Sequence, residues 1–130
     1  MGWTAWVAVG TGAALGAWLR WVLGSWLNPV FAVVQLGTLA ANLLGGYLVG
    51  LAVAGFSHIA PLPSEYRLFV VTGFLGGLTT FSTFSSEVID LILREQLVWG
   101  FAVAGSHLLG SLLLTWLGIR TMNTVLMWIS

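Results

Sequence analysis

Cysteine and lysine are both absent from the 130-residue sequence, and charged side chains make up only 6% of it. Without cysteine there is no disulfide, no thiolate metal site and no cysteine nucleophile. Four arginines and four acids fall far below the roughly one-quarter charged content of a soluble domain. They cannot supply a solvated shell, so a water-soluble enzyme is excluded. The net charge is zero and there is no basic run, which argues against nucleic acid as a partner. What is present is apolar: 58% hydrophobic residues, with eight tryptophans and 17 glycines. That is the composition of an integral membrane protein whose outer surface meets the lipid bilayer.

A helix crosses the hydrocarbon core in about 20 apolar residues, and residues 1–130 divide into one domain of four such spans. These run from Trp3 to Leu27, Leu36 to Phe56, Arg67 to Leu93 and Val98 to Trp128. Asn28-Pro29 stops the first, because proline blocks helix continuation and disfavours helix in its predecessor. The Pro-punctuated stretch from Ser57 to Ser64 separates the second from the third. The first span is not expected to be a secretory leader, since it is too long and lacks a charged start. Tryptophans near span ends (Trp3, Trp6, Trp26, Trp99, Trp128) suit an interfacial belt.

Four spans put Arg67 and Arg120 toward one side of the membrane and Arg20 and Arg94 toward the other. The positive-inside rule then has no bias to act on. Two readings stay open: a small protein that simply carries few charges, or a chain that inserts both ways and pairs with its inverted copy, as inverted repeats do within many transporters. The pairs Gly12/Gly16, Gly46/Gly50 and Gly73/Gly77 have helical spacing and read as close-packing positions between helices.

The segment Thr72-Gly73-Phe74-Leu75-Gly76-Gly77-Leu78-Thr79-Thr80-Phe81-Ser82-Thr83-Phe84-Ser85-Ser86-Glu87 lies in mid-span. A double glycine followed by hydroxyl residues weakens a helix, so a break over Gly76 to Thr80 is expected. The alternative is a π-bulge or kink with hydroxyls bonded back to the preceding turn. Phe81 and Phe84 share a helix face. Their rings either pack ordinarily or turn their electropositive edges to a small anion, among the donors Ser82, Thr83 and Ser85. Asn42, in the middle of the second span, must find a partner in protein, water or ion. His107, Ser111 and Thr115 recur every four residues and draw one polar stripe. Glu87, Asp90 and Arg20 are charges at or near the membrane interior. Arg20 and Arg120 can equally snorkel or pair.

These residues resemble the Fluc (CrcB) family of microbial fluoride channels, through Gly16-Ala17-Trp18-Leu19-Arg20-Trp21, Gly37 to Gly46, Thr72 to Ser85 and Gly110-Ser111. The resemblance touches all four spans. It implies an all-α membrane protein of four transmembrane helices, broken in the third and assembled as an antiparallel, dual-topology homodimer with two pores. It further implies that Phe81 and Phe84 coordinate fluoride by their edges and that Asn42 positions them. Thr38, Ser82, Thr83, Ser85, His107, Ser111 and Thr115 are similar to the polar track, Arg20 to the vestibule arginine, and Glu87 to a position near the track. The carbonyls of Gly76 and Thr79 would hold a structural sodium ion at the dimer interface.

The function implied is passive, selective export of fluoride across the inner membrane. A four-helix proton-coupled exporter and a structural subunit are the alternatives; the first needs a titratable acid inside a helix, and Glu87 and Asp90 lie near a helix end. No nucleophile-and-base set or metal cluster suggests an enzyme.

Overall fold

In lipid the backbone has only itself to bond to, and helices satisfy it within each segment. The computed structural model, which describes residues 1–59 and 61–130, is accordingly helical, with no strand among the described residues. Helix α1 is Trp3–Leu27 and α2 is Leu36–His58. The run we label α3 starts as α-helix at Ser64–Arg67, widens to π-helix over Leu68–Leu75 and closes with Gly76–Leu78. Helix α4 is Phe81–Leu93, and α5, the longest, is Leu97–Ile129. Four stretches are long and apolar enough to cross a membrane: Trp3–Val30, Leu36–His58, Ser64–Leu93 and Leu97–Ile129. The chain is thus an all-helical, multi-pass membrane protein.

The helix ends follow local chemistry. Asn28–Val30 forms a single 3₁₀ turn with Pro29 inside it, and Asn28 Oδ1 accepts from Gly37 N at 2.7 Å, tying the end of α1 to the start of α2. The second helix runs through His58 rather than stopping at Phe56, and the third starts at Ser64, directly after extended Pro63. Residue 60, within the expected loop of residues 57–64, lies outside the described residues. Between α4 and α5 the chain reverses at Glu95, whose φ of 61° is left-handed, while Gln96 N closes the turn on Leu91 O at 2.9 Å.

Glycine sets how the helices pair. In the seam between α1 and α3, Gly12 and Gly16 face Gly73 and Gly77. A Cβ at Gly12 would meet Phe69 O, and one at Gly73 would sit 2.8 Å from Val9 O. In the seam between α2 and α5, a Cβ at Gly50 would meet Thr115 O and one at Gly118 would meet Tyr47 O. Backbones in such contact gain dispersion along their whole length, which substitutes for the hydrophobic effect in lipid. Where α1, α2 and α3 converge, Ala41, Leu75 and Leu78 form a small buried core flanked by Leu19, Leu23 and Phe74. Most large apolar side chains, among them Trp18, Trp21, Leu109 and Leu112, point outward, as a lipid-solvated surface requires.

Candidate permeation site

Between α3 and α4, Thr79 (φ −88°, ψ 151°) and Thr80 (φ −149°, ψ 117°) are extended. Extended backbone at membrane depth needs hydrogen-bond partners, and Asn42 on α2 supplies them. Its Oδ1 accepts from Thr80 N at 2.7 Å and its Nδ2 donates to Thr80 O at 2.9 Å. Thr80 N is thereby spent on the amide, rather than on the Gly76 carbonyl that a continuing helix would give it. Thr80 Oγ1 in turn accepts from Thr83 N at 3.2 Å, capping α4 and satisfying one of the open donors at its start.

The Asn42 amide reaches a second neighbour, His107 Nδ1 on α5, at 2.9 Å. The imidazole stacks on Phe84 with centroids 4.7 Å apart and planes 13° from parallel. Phe84 meets Phe81 edge to face at 4.7 Å and 80°. One chain of contacts therefore runs from Thr80 through Asn42 and His107 to both rings. Asn42 is 8% and His107 2% exposed, whereas Phe81 is 75% exposed, so only the last ring projects from the chain's own packing.

A cavity of about 310 Å³ opens beside this chain of contacts. It is bordered by Asn42, Thr79, Phe81, Phe84, His107, Ser111 and Thr115, together with Thr80 and apolar residues. The structure thus brings these seven sequence-selected residues together. Thr38 sits one turn before Asn42 and donates to Gln35 Oε1 at 3.2 Å. Ser82 shares a hydrogen bond with Thr80 Oγ1 at 3.3 Å, and Thr83 receives one from the same hydroxyl at 3.1 Å. Ser82, Thr83 and Ser85 follow Phe81 on the first turns of α4 but do not border the cavity. Thr115 Oγ1 donates to Gly46 O at 3.0 Å.

The charged candidates lie elsewhere. Arg20 reaches from α1 to donate through Nε to Gly77 O at 3.0 Å, fastening the last turn of α3. Glu87, 6% exposed, accepts from Gln35 N at 2.7 Å, and its other oxygen has no partner among the described residues. It borders a second, polar cavity of about 430 Å³ with Asn28, Ser86, Asp90 and Arg94. Arg94 rather than Arg20 is the arginine at that cavity, and it pairs with Asp90 at 3.0 Å. Two residues were not selected by sequence: Thr80, whose backbone receives the amide, and Gln35, whose N–H holds Glu87. Thr80 stands inside the flagged hydroxyl run; Gln35 carried no signal.

Apolar helices around a buried amide, a stacked imidazole and two phenyl rings define a multi-pass membrane protein whose polar side chains gather beside one cavity. The chain belongs to the CrcB family: residues 7–119 match the family described as "CrcB-like protein, Camphor Resistance (CrcB)". A protein of Nitrosospira multiformis named "Fluoride-specific ion channel FluC" is 61% identical over 123 residues, covering 95% of this chain and 96% of its own. Proteins of the same name from Thiobacillus denitrificans and Ralstonia nicotianae are 55% and 58% identical, each over 92% of this chain and over 97% and 94% of their own lengths.

Proposed function

We propose that this chain is a fluoride-selective ion channel of the bacterial plasma membrane, exporting fluoride passively. The observation that carries the reading is 55–61% identity over nearly the full chain to proteins of that name, in a chain whose cavity is bordered by phenyl rings, hydroxyls, an imidazole and an amide and has no arginine in its lining. Fluoride is small and strongly hydrated, and transferring it bare into hydrocarbon would cost tens of kcal/mol. A pore must therefore replace its water stepwise. Free hydroxyl and imidazole donors do this by hydrogen bonds, with Asn42 holding the imidazole in place, and phenyl edges add weak favourable electrostatics. Several weak sites in series let an ion pass, where one strong cationic site would hold it. Phe81, Phe84, Asn42, His107, Ser111 and Thr115 form this path beside the cavity, and Thr38, Ser82, Thr83 and Ser85 extend it. Glu87 stands near the path and borders the polar cavity of about 430 Å³, and Arg20, fastened to Gly77 O, is the vestibule arginine that would attract the anion.

The working unit is an antiparallel homodimer with two pores. Supporting this are the two-against-two distribution of arginines and the exposure of Phe81 at mid-span, a ring that a second copy would cover. The third span is broken at Thr79–Thr80. The Gly76 carbonyl, freed because Thr80 N bonds Asn42, and that of Thr79 suit a sodium ion shared between subunits, since hard cations take oxygen ligands. Such an ion would supply charge to hold the two broken spans together.

Fluoride efflux from vesicles carrying the purified protein tests the reading. The expected result is fast release that requires a charge-balancing ionophore, is absent for chloride, and collapses in Phe81→Ile. Release that proceeds without the ionophore and follows a proton gradient would instead identify an exchanger.

A further inference from the structure

The Asn42 amide has only one orientation open to it, and this decides the chemistry of the ring beside it. Thr80 N is a donor, so the amide atom 2.7 Å from it is the oxygen; Thr80 O is an acceptor, so the atom 2.9 Å from it is the nitrogen. An amide nitrogen carries hydrogens and accepts nothing. Its second contact, 2.9 Å to His107 Nδ1, is therefore a donation, and Nδ1 is the bare, accepting nitrogen of a neutral imidazole. The ring proton sits on Nε2. That N–H is buried with no partner among the described residues, in a side chain that is 2% exposed. Buried, unspent donors are rare and unfavourable in folded proteins, and a small anion is a ligand that would satisfy this one.

We propose that Asn42 fixes His107 as its Nε2–H tautomer and that this N–H donates a hydrogen bond to fluoride passing beside Phe84; the inference rests on the channel reading above. The control begins at Thr80. Its extended backbone orients the amide, the amide selects the tautomer, and the stack on Phe84 fixes the plane in which the N–H points. The opposite tautomer would set Nδ1–H against an amide N–H, donor to donor. Asn42 is thus a positioning residue acting through His107, and His107 is the group that touches the ion. A neutral N–H also suits conduction, because it binds without the fixed charge that would trap an anion.

Two measurements on the full-length protein in lipid test this. Nitrogen NMR of isotope-labelled histidine, with His58→Gln to remove the other imidazole's signals, should show a protonated Nε2 and a bare Nδ1. Sodium fluoride, but not sodium chloride, should shift the Nε2 resonance. A protonated Nδ1, or an Nε2 signal that fluoride leaves unmoved, overturns the proposal. Efflux from two variants gives the second readout. Glutamine places its amide nitrogen where Nε2 stands, and asparagine places its own where Nδ1 stands. His107→Gln should therefore keep efflux within about threefold of wild type, while His107→Asn loses about tenfold, the scale of one lost hydrogen bond. Equal losses or the reverse order overturn the donor role while the wild type still conducts. A wild type that releases no fluoride in the same vesicles overturns the channel reading, and this inference with it.

Discussion

Thr115 shows how a side chain can border the cavity and still have no proton to give. Its hydroxyl donates to Gly46 O, so only lone pairs remain for the path. Ser111, one turn earlier on the same face, has no such bond among the described residues. Ser111→Ala should therefore lower fluoride efflux more than Thr115→Val, whose main effect is a loss of stability of about 1 kcal/mol. Parallel flux and thermal-denaturation measurements check the ordering. Asn42 carries a larger burden. Asn42→Leu leaves both Thr80 backbone groups without their partner, which costs about 2–5 kcal/mol; a thermal midpoint unchanged from wild type would contradict the clamp. The residue types at the site were legible in the sequence, because an amide, an imidazole and hydroxyls in apolar spans demand partners. Who partners whom was not, since Asn42 and Thr80 lie 38 positions apart and no local pattern links them.

Helix pairing was legible through glycine spacing, and it yields a graded test. A methyl at Gly50 meets the Thr115 carbonyl, whereas one at Gly105 meets nothing within 4 Å. Gly50→Ala should push α2 from α5 at a cost of about 1–3 kcal/mol, while Gly105→Ala gains up to about 1 kcal/mol from helix propensity. Unfolding of both variants in the same detergent measures the difference. The break and the π-bulge offered as alternatives for the third span occur together: π-helix runs over Leu68–Leu75, Thr79 Oγ1 bonds back to Leu75 O at 2.8 Å, and Thr79 and Thr80 are extended. That the π course begins as early as Leu68 was not legible, because the apolar run with Val70 and Val71 reads as ordinary helix. The placement of Arg20 was half legible: a charge inside a span signals a partner, but a backbone carbonyl of α3 leaves no mark in sequence.

For the whole molecule, the four spans followed from composition and length alone, because lipid leaves the backbone few options. The inverted pairing proposed above would be a property of an assembly, and one chain carries only a balance of arginines compatible with it. The absence of cysteine makes that pairing directly measurable. With Ser130→Cys as the single thiol, an impermeant reagent applied to intact cells should label about half of the protein if insertion follows no charge bias. Labelling of all or none would fix one orientation and remove the antiparallel dimer.

Helix α5 has 33 residues, about 50 Å at 1.5 Å per residue, against a hydrocarbon core of about 30 Å. It must lean, or carry its ends into the headgroups, and each ångström of mismatch has a modest energetic cost. His107, Ser111 and Thr115 ride on this one rod. On the path proposed above, the depth and slant at which an ion would meet them are set jointly by the protein and by the acyl chains around it, which would make bilayer thickness a working parameter of that path.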